Sequence, residues 1–265
     1  MKTPVTYWGG KQQLTPRILS YFPQHKVYDE PFFGGGAIFF AKRPSEVEFI
    51  NDVNGEMINF YRTIKNNFKP LKQEVDSTLH SEYEHHRARK IYATPSNYTE
   101  IERAWAIWVL SKQSIYSILN NSWSMTVERN MAKSIQWSKE AFAEAYAKRL
   151  ERTSIFCRDA LDVIKATDTE DTFHYVDPPY FNSNLGHYDG YTIDDFRNLL
   201  EILSDIEGKF LLSSYPSEIL SEYAVRNNWS SEEIEMYKSA GSKGGRKVEV
   251  LTMNYTTMSK QGTLF

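Results

Sequence analysis

Cysteine is nearly missing from this chain. Cys157 is the only one in 265 residues, which excludes an intrachain disulfide and a zinc site built from cysteines, and fits a reducing compartment. Long apolar runs are missing too. The longest candidate, Ala104 to Leu110, falls far short of the roughly 20 residues that span a bilayer. Met1-Lys2-Thr3-Pro4 soon gives way to a Gly-Gly-Lys turn, so no secretory leader is expected and the cytoplasm is the expected location. Internal repeats and low-complexity stretches are absent, and the histidines and acids show no metal-ligand spacing, so no metal is expected.

A strong net charge is also lacking, but the formal −3 hides an uneven distribution. Residues 1–60 carry 6 basic and 6 acidic side chains, 61–152 carry 15 and 10, and 153–265 carry 10 and 18. The middle third is therefore the basic one, and local charge governs contact with a phosphate backbone. A solvated helical surface is the plain alternative.

Hydrophobic pattern divides the chain the same way. Lys26 to Asp29 and Val47 to Ile50 read as short strands, with helices over Ala37 to Lys42 and Asn54 to Lys65. Between about 60 and 150 the pattern is helical, notably Ile101 to Ser114 and Lys139 to Glu151, with a polar-aromatic loop at Gln113 to Trp123. Strand patterns return at Phe173 to Val176, Lys209 to Ser213 and Lys247 to Met253, around a helix at Ile193 to Ser204. This alternation predicts an α/β fold built from parallel βαβ units, interrupted by a mainly helical insertion.

Three segments carry chemistry. Glu30-Pro31-Phe32-Phe33-Gly34-Gly35-Gly36-Ala37 joins a strand to a helix, where glycines let the backbone approach a ligand. The dinucleotide spacing fails because Phe39 takes the third glycine position. An acid beside Gly34 and Gly36 suits a cationic ligand such as a sulfonium amino acid; a merely structural turn is the alternative. Asp52 closes the next strand, where an acid takes ribose hydroxyls, unless it is an ordinary helix cap. Asp177-Pro178-Pro179-Tyr180 follows the apolar strand directly. Two prolines end the ladder with a rigid turn at the carboxyl edge, where α/β sheets bind ligands. An exocyclic aromatic amine is a poor nucleophile because its lone pair is delocalised. The Asp177 carboxylate and the Pro178 carbonyl can hold its two hydrogens, and Tyr180 offers a ring for an extruded base.

With these segments the chain resembles the DNA amino-methyltransferases, specifically the Dam-like adenine-N6 family, over nearly its whole length. Tyr7-Trp8-Gly9-Gly10-Lys11 resembles the family's donor-binding start, Glu30 to Ala37 its glycine motif and Asn51 to Asn54 its ribose motif. Cys157-Arg158-Asp159 resembles the strand end near the donor's adenine, and Arg246 to Leu251 the late strand. The resemblance implies a Rossmann-like methyltransferase sheet formed by 1–60 and 153–265, with 61–152 as the inserted target-recognition region. It implies S-adenosylmethionine as methyl donor, held by Tyr7, Lys11, Glu30, Phe32, Gly34, Gly36, Asp52, Asp159 and Asp177, and double-stranded DNA as substrate, with a restriction endonuclease as a further partner. Asp177, Pro178 and Tyr180 are the implied catalytic residues; Arg129 and Lys133, flanking the polar-aromatic loop, are the first candidates for DNA contact. Gln113 to Asn130 departs from the GATC-reading members, which leaves the DNA word open.

Cytosine-C5 transfer needs a cysteine nucleophile, and Cys157 stands away from the Asp177 edge. Cytosine-N4, RNA and protein-amide methylation share the physics but are disfavoured, by resemblance, by Asp at position 177; a binding regulator without turnover is the non-enzymatic alternative. His85-His86 reads as a solvated helix pair, and Trp105 and Trp108 as core. Ser239 to Arg246 reads either as a phosphate-touching loop or as a disordered hairpin.

Overall fold

The computed structural model describes residues 1–7, 11–181, 190–237 and 246–256. Trp8-Gly9-Gly10 and most of the Ser239 to Arg246 loop lie outside the described residues. In chain order the elements are α1 (Thr15–Leu19), β1 (Val27–Glu30), α2 (Ala37–Ala41), β2 (Val47–Asn51), α3 (Gly55–Asn66), α4 (Phe68–Ser77), α5 (Glu82–Ala93), α6 (Glu100–Gln113), α7 (Met131–Ala141) and α8 (Ala145–Leu150). There follow β3 (Thr153–Phe156), α9 (Ala160–Thr167), β4 (Thr172–Val176), α10 (Ile193–Asp205), β5 (Lys209–Ser214), α11 (Glu218–Arg226), β6 (Ser230–Tyr237) and β7 (Arg246–Met253). The seven strands form one sheet in the order β3-β2-β1-β4-β5-β7-β6. The fold is α/β, as the alternation predicts, and its sheet agrees with the Rossmann-like fold that the resemblance implies. The chain divides into two compact units, the first comprising Met1–Leu19, Phe33–Pro44 and Ile50–Arg158, the second Ser20–Phe32, Ser45–Phe49 and Asp159–Phe265.

In the second unit β1, β4 and β5 run parallel, and β7 returns antiparallel to β5 with β6 beyond it. All five residues of β4 are buried, as a central strand covered on both faces requires. Val176, Phe210, Leu212 and Val250 meet Phe196, Leu199, Leu200 and Leu203 of α10 in one core cluster. Thr192 and Asp195 form a reciprocal capping box that starts α10. β6 has no counterpart in the sequence reading. Ser-Ser-Glu-Glu-Ile-Glu-Met-Tyr offers four polar residues before its first apolar one, and as the sheet's edge it is held by its ladder to β7.

The first unit is built around α6, whose residues Ala104 to Leu110 are all buried. Trp105 and Trp108 lie in this core, and the Trp105 indole donates to Thr78 Oγ1 at 2.7 Å. Arg103 grips Glu56 of α3 with two bonds, at 2.9 and 2.6 Å. Two expectations are corrected here. The helix predicted over 139–151 is broken at 142–144, because Phe142 turns inward to pack on Phe68 and Tyr146, and its N–H closes α7 on the Lys139 carbonyl. His85 is not solvated: it is fully buried, with Nε2 2.9 Å from Ser114 Oγ, and burial lowers its pKa to about 4. His86 alone faces solvent.

Candidate active site

In the first unit the glycine loop has conformations that side chains resist. Gly34 has φ +46° and Gly36 φ +64°. A Cβ on Gly36 would sit 2.5 Å from the Phe33 ring, and one on Gly34 would sit 3.1 Å from the Tyr7 ring. Asp52 braces this loop: Oδ2 accepts the Gly34 N–H and Oδ1 the Asn54 N–H, each at 2.8 Å. Tyr61 donates to the Gly34 carbonyl at 2.7 Å. The helix cap left open for Asp52 belongs instead to Asn54, whose side chain accepts from Glu56 and Met57 at the start of α3. Burial raises the Asp52 pKa against the opposing pull of the two N–H groups. Lys11 is also buried, and its carbonyl accepts from Leu14 N–H and the Thr15 hydroxyl.

Asn51, which opens the segment resembling the ribose motif, has a structural role that the sequence did not single out. Its side chain accepts from the Arg158 N–H at 2.9 Å and donates to the Arg158 carbonyl at 3.1 Å, fixing where the chain leaves β2. An amide at the last position of a buried strand was its only signal.

In the second unit β1 and β4 run parallel, so Glu30 and Asp177 emerge at the same carboxyl edge. Glu30 is buried and accepts the Tyr28 hydroxyl at 2.6 Å. Phe32 packs against the core cluster. Asp159 is exposed and caps α9 through a 2.8 Å bond from Leu161 N–H.

Asp177 follows β4 directly, and Pro178 is buried behind it. The Tyr180 hydroxyl reaches Asp177 Oδ1 at 3.1 Å and also bonds Glu249 Oε1, while its ring centroid lies 4.3 Å from that of Tyr215. Ser213 donates to the same Glu249 oxygen at 2.6 Å. Burial, then the charges of Asp177 and Glu249, push the Tyr180 phenol well above its ordinary range, so it is a neutral donor. Sequence reading assigned Tyr180 through its ring and did not foresee these hydroxyl contacts. The long separation from Glu249 hid them.

Arg129 and Lys133 are exposed in the first unit. Arg129 Nε lies 3.2 Å from Met131 Sδ, and the Lys133 ammonium lies 5.1 Å from the centre of the Trp137 ring. The expected loop at 113–123 is closed by a bridge between Ser114 and Trp123, with Tyr116 and Ser117 at positive φ. Among the described residues no helix is long and apolar enough to cross a membrane, and no group of three His, Cys, Asp or Glu side chains is placed to hold a metal ion.

The chain is similar in sequence to known proteins. A type II methyltransferase of Lactococcus lactis, M1.LlaDCHI, is 27% identical over 95% of both chains. A type II methyltransferase of Methanocaldococcus jannaschii, M.MjaIII, is 28% identical over 95% of this chain and 99% of its own. The DNA N-6-adenine-methyltransferase of Escherichia phage P1 is 25% identical over 89% of this chain, which spans 33% of that protein. Residues 7–240 match the family profile as one stretch. The chain belongs to the D12 class of N6 adenine-specific DNA methyltransferases, which place a methyl group on the exocyclic amine of adenine in DNA.

Proposed function

We propose that Asp177, Pro178 and Tyr180 hold and activate the adenine amine after the base has been turned out of the duplex, and that the methyl donor is S-adenosylmethionine. The observation that carries this reading is the Asp177 carboxylate at the carboxyl end of β4, with the buried Pro178 and the Tyr180 hydroxyl against it. The two amine hydrogens take the Asp177 carboxylate and the Pro178 carbonyl as acceptors, which localises the nitrogen lone pair. When bound, S-adenosylmethionine would supply an electrophilic methyl carbon to N6, and the proton lost from N6 would pass to solvent.

The residues present fit such a donor. Gly34 and Gly36 form a loop that a Cβ would fill, and Tyr7 and Lys11 belong to the same segment of the reading. Asp52 keeps lone pairs for ribose hydroxyls after accepting two N–H groups. Glu30, Phe32 and Asp159 complete the donor contacts in this reading, and Glu30 supplies negative charge for a cationic ligand. Residues 1–60 and 153–265 act as the catalytic part, and 61–152 reads the target. A restriction endonuclease partner is proposed because two relatives are named type II methyltransferases, and the cytoplasm is the proposed location.

Tritiated methyl transfer to unmethylated DNA, RNA and protein tests the reading, together with methylation-sensitive sequencing of DNA from expressing cells. Asp177→Ala is expected to abolish single-turnover methylation of DNA while leaving DNA binding largely intact. Asp177→Asn keeps one acceptor oxygen and is expected to retain a small residual rate. Near-normal turnover by Asp177→Ala overturns the assignment.

A further inference from the structure

Glu249 is a fully buried carboxylate between Val248 and Val250 of β7. Removing a charge from water in such a place is costly unless its contacts answer it. A structural acid pinned in the sheet would be adequately served by Ser213, which donates to Oε1 at 2.6 Å from the neighbouring strand. Glu249 Oε1 has a second partner, the Tyr180 hydroxyl, and that hydroxyl also lies 3.1 Å from Asp177 Oδ1.

Two carboxylates converge on this one hydroxyl, which links them, and the phenol stays neutral because burial and both charges oppose its ionisation. Asp177 and Glu249 therefore exchange influence through one hydroxyl. Glu30 of β1 and Tyr175 of β4 also face this group, and Tyr175 is held neutral by burial and then by the charges of Asp177, Glu30 and Glu249.

We propose that Glu249, seated by Ser213, is a positioning residue for methyl transfer: through the Tyr180 hydroxyl it fixes the Asp177 carboxylate. The proposal rests on Asp177 holding the amine.

The test compares Glu249→Gln, Tyr180→Phe and the double variant in single-turnover methylation of DNA across pH, with KM for DNA and donor and thermal melting measured alongside. Each single change is expected to slow methylation about 10- to 100-fold, the range for a lost hydrogen bond to a charged group, with KM little changed. The double variant is expected to be no slower than the slower single, because both break one connection. Losses that multiply or a normal rate for Glu249→Gln would overturn the proposal. If Glu249→Gln melts below the assay temperature, Ser213→Ala takes its place in the cycle, with the same two outcomes for the product of losses. Asp177→Ala separates the two readings: activity retained there defeats the amine-holding role, whereas activity lost there but kept in Glu249→Gln defeats only the role of Glu249.

Discussion

The Gly34 N–H donates to Asp52 Oδ2 at 2.8 Å, so the acid expected to take ribose hydroxyls also holds the glycine loop in shape. Asp52→Ala removes the acceptor for two N–H groups at once. We expect donor affinity to fall about 10- to 100-fold and the melting temperature to fall with it. Calorimetry and thermal melting separate the two effects. A lower melting temperature with unchanged donor affinity would leave Asp52 with bracing alone, and the ribose contact would have to be dropped.

Gly36 permits a second test of the loop. Alanine there would have to keep φ +64° and put its Cβ against the Phe33 ring. The expected destabilisation is about 1–3 kcal/mol, the range for a strained left-handed residue, together with loss of donor binding. Adding Phe33→Leu gives the new methyl room but leaves the backbone strain, so stability should recover only in part. Full recovery would mean that sterics alone require glycine here.

A buried histidine gives the stability a defined pH dependence. His174 Nδ1 lies 2.8 Å from Asp29 Oδ2, and Nε2 lies 3.2 Å from Asp168 Oδ1. Burial works against the charged ring, but the hydrogen bonds and charges of Asp168 and Asp29 outweigh it and raise the pKa above the ordinary 6.5. Such a group stabilises fully below its unfolded value and loses that contribution as pH rises through the folded value. Asp168 is lowered below the ordinary 3.8, because its bonds to His174 and to the Glu207 and Gly208 N–H groups outweigh burial. Its contribution is present above 3.8 and is lost as pH falls through the depressed value. Stability from this pair should therefore level off between these limits and decline above pH 6.5. His174→Gln should flatten the decline in melting temperature on the alkaline side; an identical slope in both proteins would exclude His174 as its source.

The parts of the site that sequence reveals are those in which chemistry is contiguous. Asp177 to Tyr180 follows five buried strand residues, and the glycine loop joins a strand to a helix, so local pattern alone positions both. Glu249 is different. It reaches Tyr180 across 69 positions, and only the antiparallel placement of β7 beside β5 brings them together. β6 was hidden for a related reason, since an acidic edge strand with Ile234 as its buried apolar residue shows little alternation and is held by its ladder to β7. His85 and Phe142 show the limit of periodicity. Each is turned inward by neighbours remote in sequence, Ser114 for the first and Phe68 for the second.

The last prediction concerns target binding. The region 61–152 holds 15 basic residues against 10 acidic ones, and several of the basic side chains are engaged internally: Arg103 is held by Glu56, Lys72 by Asp76, and Arg149 by the Phe39 ring and carbonyl. Arg129 and Lys133 are exposed and have no carboxylate partner among the described residues, so their charges remain available to phosphate. Binding should weaken as salt rises, because each neutralised phosphate releases condensed counterions. Arg129→Ala and Lys133→Ala should each reduce the slope of log affinity against log salt by about 1, uniformly across DNA sequences. Trp137→Ala should leave that slope alone, since it removes a ring and no charge. Grafting 61–152 from a relative with another target should move the sequence preference, whereas the two alanine variants should not. Slopes equal to that of the parent protein in both variants would place the phosphate contacts elsewhere, and an unmoved preference after a well-folded graft would refute target reading by this region.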